Sequence, residues 1–135
     1  MSPGLLTLTE LRERAAYVLA PVAEDDPPVV QAPVDAIEPP ALMLGWEDPW
    51  ITFRTPCFWE ARLAVFCFAG RVEPGSGVAT LESLIGYAVA RLRADGYSWP
   101  HETTRAPRLY EIGGVPLLAA RLVYSCPVTL GGAAP

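Results

Sequence analysis

The stretch Phe58 to Arg71, FWEARLAVFCFAGR, decides the fold of this chain. It combines aromatic and branched apolar side chains with only three charged residues; Pro56 precedes it, and Gly70 closes its apolar part. Short apolar runs of this composition, bounded by proline and glycine, are typical of strands that are buried on both faces. We therefore predict that Phe58 to Arg71 forms the central strand of a single sheet.

One helix is predicted before this strand in the sequence, and one after it. Thr7 and Glu10 have the spacing of a capping box, and the apolar residues that follow recur at helical intervals until Pro21. A second, longer apolar repeat runs from Val78 to Leu92 and ends at Asp95-Gly96. The pattern predicts an N-terminal helix and one long amphipathic helix packed on the sheet.

The remaining strands follow from short apolar runs and turn signals. Ala41 to Leu44 indicates a short strand that Gly45 ends, and Val29 to Gln31 fits a short edge strand. Gly113-Gly114 is a two-residue hairpin signal between strands at Arg108–Ile112 and Val115–Val128. The prediction is an α+β fold with a mixed or antiparallel sheet of about four strands. Residues 1–130 form one domain, and residues 131–135 form a disordered tail.

An aromatic segment between the predicted strands, Trp46 to Pro56, needs an explanation because loops are normally polar. One interpretation is that this segment folds back over its own sheet. The other is that it forms a protruding hairpin that packs on a neighbouring subunit, because Trp, Phe and Arg favour the cores of interfaces. The sequence leaves both interpretations open.

The composition excludes several kinds of chemistry. All ten basic residues are arginine, so a Walker phosphate loop and a lysine nucleophile are excluded. Seven acids and no base lie between Arg14 and Arg54, while the rest has eight acids and ten arginines, which together give the net charge of −5. A chain with such an acidic segment is poorly suited to tight DNA binding. No apolar window is long enough to span a membrane.

Few residues suggest catalysis or metal binding. His101 is the only histidine, and the cysteines Cys57, Cys67 and Cys126 are scattered, so no tetrahedral metal set is predicted. A nucleophilic pair of His101 with one of these thiols is conceivable, but two of the three thiols lie in predicted core strands, where a nucleophile would not be exposed. We expect no cofactor, no metal and no enzymatic activity.

The order of these elements resembles a known family. A helix, a proline-rich acidic link, PPALMLG, an aromatic segment, the long strand ending in Ala69-Gly70-Arg71, an amphipathic helix and YEIGGVPLLAARLVYSCPV follow one another. From Leu8 to Val128 this order is similar to phage tail-terminator proteins. The resemblance is to those of siphoviruses that infect actinobacteria, which are related in fold to the lambda tail terminator.

The resemblance implies a structural virion protein that is assembled in the host cytoplasm. Its members form a homo-oligomer, a hexameric ring at the head-proximal end of the tail tube. The ring contacts the major tail-tube protein on one side and neck or head-completion proteins on the other, and DNA passes through its lumen without specific binding. The alternatives are another neck protein, a connector or stopper, and a small-ligand-binding α+β domain.

Two sets of residues are predicted to serve such a ring. Aromatic and arginine residues in and near the aromatic segment are expected at subunit or partner interfaces: Trp46, Trp50, Phe53, Arg54, Phe58 and Arg121. Acidic residues of the link and of the aromatic segment are expected to face the channel, where they would repel DNA phosphates: Asp25, Asp26, Glu47 and Asp48.

Overall fold

The computed structural model describes residues 5–55, 58–70, 77–97 and 99–130. Within these residues the chain forms two helices and five strands. Arg71 and the predicted tail at residues 131–135 lie outside the described residues. In chain order the elements are α1 (Leu8–Leu19), β1 (Val29–Gln31), β2 (Ala41–Thr55), β3 (Phe58–Gly70), α2 (Gly77–Ala94), β4 (His101–Ile112) and β5 (Val115–Val128).

The strands form one mixed sheet in the order β1-β2-β3-β5-β4. β1 runs parallel to β2, and the three other pairs are antiparallel. β3 lies in the middle, as predicted, and pairs with β2 on one side and with β5 on the other. The α+β class and the two helices are confirmed. The predicted count of about four strands is wrong, because the short edge strand β1 adds a fifth.

Two strands are longer than the sequence predicts. β2 continues past Gly45, where it was predicted to end, to Thr55, and β4 begins at His101 and not at Arg108. Both added parts contain a proline, Pro49 or Pro107, a residue that is unusual inside strands. Each proline lies in a break of the ladder register, where it removes no ladder hydrogen bond. The bounds of β5 are as predicted.

The helices cover one face of the sheet and enclose the main core. The capping box of α1 is present, with Thr7 Oγ1 accepting from the Glu10 amide at 3.2 Å and Glu10 Oε1 accepting from the Thr7 amide at 2.9 Å. Leu11, Ala15 and Leu19 form its buried face. Leu81, Leu84, Ala88 and Leu92 of α2 pack into the same cluster.

Arg91 and Tyr87 of α2 join the two helices by capping the C-terminus of α1. The Arg91 guanidinium donates to the carbonyl oxygens of Val18 at 3.1 Å and Ala20 at 2.7 Å. The Tyr87 hydroxyl donates to the Leu19 carbonyl oxygen at 2.9 Å. These carbonyls have no partner within their own helix. Arg91 therefore stabilises the end of α1, and not only the end of its own helix.

A second contact joins the helices near the end of α2. Asp95 accepts from Arg14 Nε at 2.9 Å and from Trp99 Nε1 at 3.0 Å. Burial alone would raise the pKa of Asp95, but the hydrogen bonds from Arg14 and Trp99 outweigh it and lower the pKa. The Arg14 side chain thus reaches across to α2.

The proline-rich link covers the opposite face of the sheet. Met43, Phe68, Leu117 and Ala119 are buried there beneath Ala32, Val34 and Ile37 of the link. The link also meets the β4–β5 turn, because a Cβ atom added to Gly113 would overlap the Asp35 carbonyl oxygen. Gly113 and Gly114 have φ values of 59° and 80°, as a left-handed hairpin turn requires.

This contact predicts different effects for two neighbouring substitutions. Gly113→Ala and Gly114→Ala both force a side chain into left-handed backbone, which costs about 1–2 kcal/mol. Gly113→Ala also displaces the link, and we expect a further loss of about 1–3 kcal/mol in the free energy of unfolding. Gly114 has no atom within 4 Å of its Cβ position and is the matched control. Equal losses in urea denaturation would show that the link is not held at this turn.

Candidate subunit-interface site

The predicted aromatic segment is the outer half of a β-hairpin and not a loop. From Trp46 to Thr55 the chain belongs to β2 and pairs with the start of β3, with Ile51 opposite Ala61 and Phe53 opposite Trp59. Pro56 lies outside the described residues. We call this region, from Trp46 to Trp59, the aromatic hairpin. Trp46 and Trp59 pack against the core of their own chain, whereas Trp50 and Phe53 are exposed, so the contact with a neighbouring subunit stays a prediction.

A wide bulge sets the shape of the aromatic hairpin. Trp46 pairs with Leu63 and Ile51 pairs with Ala61, so residues 47–50 lie opposite the single residue Arg62. The Arg62 guanidinium donates to the Asp48 carbonyl oxygen at 3.2 Å. The rings of Trp46 and Trp50 lie 5.8 Å apart at an angle of 46°. Bulges of this kind redirect side chains away from the sheet.

The bulge leaves aromatic surface exposed to solvent. Trp50 is 47% exposed and Phe53 is 72% exposed, while Trp46 and Trp59 are half-buried. The Phe53 ring meets the Trp59 ring edge-on, with centroids 5.7 Å apart. Neighbouring exposed aromatic side chains on a rigid hairpin are typical of protein–protein interfaces.

An ion pair borders this aromatic surface. Arg54 Nη2 lies 2.8 Å from Glu60 Oε1, and the Arg54 side chain is 53% exposed. The hydrogen bond from Arg54 is the main reason that the pKa of Glu60 is lowered. Phe58 begins β3 opposite Thr55, but its side chain lies outside the described part of the structure.

Glu47 and Arg121 form an ion pair within the chain, a contact that neither prediction about them included. Glu47 was expected to face a channel and Arg121 to face a neighbour. Glu47 is only 5% exposed, and its Oε2 atom lies 3.2 Å from Nε of Arg121, whose side chain is 17% exposed. The Arg121 guanidinium also lies 5.8 Å from the centre of the Phe66 ring. The pair reaches from β2 across β3 to β5 and holds the bulge against the sheet.

The other predicted acidic residues lie in two separate places. Asp25 and Asp26 belong to the turn after α1, and Asp48 belongs to the bulge. Asp26 accepts from the backbone amides of Ala23 at 2.8 Å and Val22 at 2.9 Å, and these hydrogen bonds lower its pKa. Asp25 and Asp48 are exposed. Only these two of the four predicted residues present an uncommitted carboxylate to solvent.

A cleft that no sequence pattern predicts lies beside the aromatic hairpin. Leu8, Thr9 and Arg12 of α1 line it on one side, and Trp46 and Trp50 line it on the other, around a volume of about 290 Å³. Arg12 is half-buried here. In the sequence it is an ordinary polar position on an amphipathic helix, and no local pattern connects it to residues 34 or more positions later.

The described residues contain little reactive chemistry. Burial raises the pKa of the Cys67 thiol and of the Cys126 thiol to about 12, so both stay protonated at neutral pH. Cys57 and the His101 side chain lie outside the described part of the structure. Among the described residues, no three His, Cys, Asp or Glu side chains are grouped so as to hold a metal ion. Neither described helix is long and apolar enough to cross a membrane.

No protein-family model matches this chain, and no curated protein matches it significantly.

The Glu47–Arg121 pair leads to a prediction about stability. Glu47→Ala leaves a largely buried guanidinium without its carboxylate, and we expect the free energy of unfolding to fall by about 3 kcal/mol. The neighbouring exposed substitution, Asp48→Ala, is the matched control and should change stability by no more than about 0.5 kcal/mol.

A double substitution separates the loss of the charge pair from the loss of packing. Replacing the pair by Glu47→Leu with Arg121→Met removes both charges while it fills the same space, so more than half of the lost stability should return. Urea denaturation at pH 7 measures all four proteins. Equal stability of Glu47→Ala and Asp48→Ala would show that the pair does not hold the bulge.

Proposed function

We propose that this protein is a phage tail terminator, a structural virion protein that forms a ring on the head-proximal end of a siphovirus tail tube. The observation that carries the proposal is the exposed aromatic hairpin, a surface suited to a neighbouring subunit, on a compact single α+β body. The order of elements from Leu8 to Val128, which resembles tail terminators, supports it. The proposal includes no enzymatic activity and no cofactor.

The size of the chain suits a ring around DNA. A globular chain of 135 residues has a radius of gyration of about 14 Å, which corresponds to a sphere about 36 Å across. Six equal spheres in a ring enclose a hole as wide as one sphere, which admits a DNA duplex. The net charge of −5 repels phosphates, so DNA would pass through without binding.

The task of such a ring explains why its two faces must differ. A tail tube is a heterologous polymer, in which each added ring presents the surface that recruits the next. A terminator must bind the tube protein with one face. Its opposite face must bind neck proteins and must not recruit another tube ring. The described sheet has two unlike edges, the short strand β1 and the longer strand β4, and the aromatic hairpin lies at the end of β2 and the start of β3. These features give the molecule the asymmetry that such a role requires.

The aromatic hairpin predicts the effect of one substitution on assembly. Trp50→Ala removes an exposed aromatic anchor and should weaken self-association by about 2 kcal/mol, roughly a 30-fold higher dissociation constant. Because Trp50 is 47% exposed, the monomer should stay folded. Sedimentation velocity at several concentrations measures the association, and circular dichroism checks the fold.

Leu109→Ala is the matched control for that experiment. Leu109 is 57% exposed, but it lies on β4, away from the aromatic hairpin. Its truncation removes a similar exposed apolar side chain and should leave the association unchanged. Equal effects of the two substitutions would show that the aromatic hairpin is not the subunit interface.

Deletion of the gene tests the function itself. Without a terminator the tube has no intrinsic end point, so the deletion should leave filled heads and separate tails whose tubes are overlong or irregular in length. Electron microscopy of the lysate measures the tube lengths. Tails of normal length together with heads that leak DNA would favour the connector or stopper role. Normal virions would exclude both roles.

A further inference from the structure

The turn that follows α1 is held by its own hydrogen bonds and presents an exposed apolar side chain, Val22, just before three acidic residues. We call Pro21 to Asp26 the acidic turn. The Asp26 carboxylate accepts from the amides of Val22 and Ala23, and the Asp26 amide donates to the Ala23 carbonyl oxygen at 3.1 Å. Arg91 Nη1 lies 4.0 Å from Asp26 Oδ2 and anchors the turn to α2. These contacts commit the amide and the Oδ2 atom of Asp26 to holding the turn.

The remaining side chains of the acidic turn point into solvent. Val22 is 81% exposed, and Glu24 and Asp25 are exposed as well. Neither Glu24 nor Asp25 has an ion-pair partner among the described residues. An exposed branched side chain on a turn that is already ordered loses little entropy on binding, which is the property of a preorganised contact.

The cleft beside the aromatic hairpin has the complementary character. Leu8, Trp46 and Trp50 give it apolar walls, and Arg12 gives it a positive charge. Arg12 makes no hydrogen bond or ion pair with any residue that the structure describes. The cleft therefore suits a small apolar side chain that is accompanied by a carboxylate.

The acidic turn and the cleft cannot meet within one chain. The cleft lies at the first turns of α1 and the acidic turn follows its last residue. A helix of 12 residues is about 18 Å long, so the two surfaces lie at opposite ends of one rigid rod. Two complementary surfaces at opposite ends of a molecule generate head-to-tail, heterologous association.

We propose that the acidic turn of one copy binds the cleft of the next copy, with Val22 against Leu8 and the outer faces of the Trp46 and Trp50 rings, and with Glu24 or Asp25 paired to Arg12. The inference rests on the ring of the proposed function and names the contact that builds it. A second copy is the occupant because the cleft suits an apolar side chain accompanied by a carboxylate, and the acidic turn presents Val22 next to Glu24 and Asp25.

Engineered disulfides test the contact directly. Thr9 lines the cleft and Val22 belongs to the acidic turn, and both are exposed. The double variant Thr9→Cys with Val22→Cys is made with Cys57→Ser, because Cys67 and Cys126 are buried and unreactive. On mild oxidation the double variant should form a ladder of covalent oligomers, while each single variant should stay monomeric on a non-reducing gel.

Each other result of the crosslinking is informative. Covalent dimers from Val22→Cys alone would indicate a two-fold contact between turns and would overturn the inference. A double variant that gives no ladder, although the protein assembles in solution, would also overturn it and leave the ring of the proposed function intact. A ladder combined with tails of normal length after gene deletion would reject the proposed function and keep the contact.

Charge reversal provides a second test that needs no cysteine. Arg12→Glu in the cleft, or Glu24→Arg with Asp25→Arg in the turn, should each weaken assembly at least tenfold. The combined triple variant should assemble within about threefold of the wild type, because opposite charges meet again. Glu13→Arg, on an exposed position of the same helix, is the matched control and should assemble as the wild type does.

Sedimentation velocity with circular dichroism reads out these variants. Unchanged assembly of the turn variant, which is expected if Asp25 faces the channel of a ring instead, would overturn the inference. The inference would also be overturned if the triple variant assembled no better than the cleft variant or the turn variant alone. A wild-type protein that stays monomeric at its highest soluble concentration would overturn it as well.

Discussion

The burial of β3 on both faces is the constraint on which the rest of the structure depends. Val65 and Cys67 are fully buried beneath the helices, and Phe68 is fully buried on the opposite face. A strand of this kind is stable only when both faces of the sheet are covered. Two helices cover one face, and the proline-rich link covers part of the other. Proline suits the link because it has no backbone N–H group, so fewer donors are left to satisfy where the link lies over apolar side chains.

Much of the fold could be predicted because the signals are local. The central strand, the Gly113-Gly114 turn and the capping box of Thr7 each depend on residues that are close in sequence. The errors arose at Gly45, which indicated the end of a strand that continues to Thr55, and at Pro107, which the chain absorbs in a break of the ladder register. A bulge is set by the partner strand, which a local pattern does not contain. The candidate site was less predictable for the same reason, since Arg12 reaches the aromatic hairpin only through tertiary packing.

Glu47 and Asp48 show how adjacent residues of the same charge take opposite roles. The sequence treats them as one acidic pair, but successive side chains of an extended chain point in opposite directions. Glu47 is buried beside Arg121, while Asp48 is exposed in the bulge. The ion pair gives the bulge a fixed position on the sheet, and this position determines where Trp50 stands. A buried charge pair adds little net stability, so its value here lies in selecting one arrangement of the aromatic hairpin.

The charges around α1 are also arranged differently from those that would stabilise an isolated helix. Acidic side chains are unfavourable near the C-terminus of a helix, where the helix dipole is negative, yet Glu24 and Asp25 follow this end of α1. Arg91 offsets the effect by donating to the last carbonyl groups. Glu24 and Asp25 themselves gain nothing in the single chain, because they have no ion-pair partner among the described residues. Arg12 lies near the positive end of the same helix, which is unfavourable for a cation, and it too has no ion-pair partner among the described residues. Head-to-tail association would bring these charges together, so the local cost in the free chain becomes a source of specificity between copies.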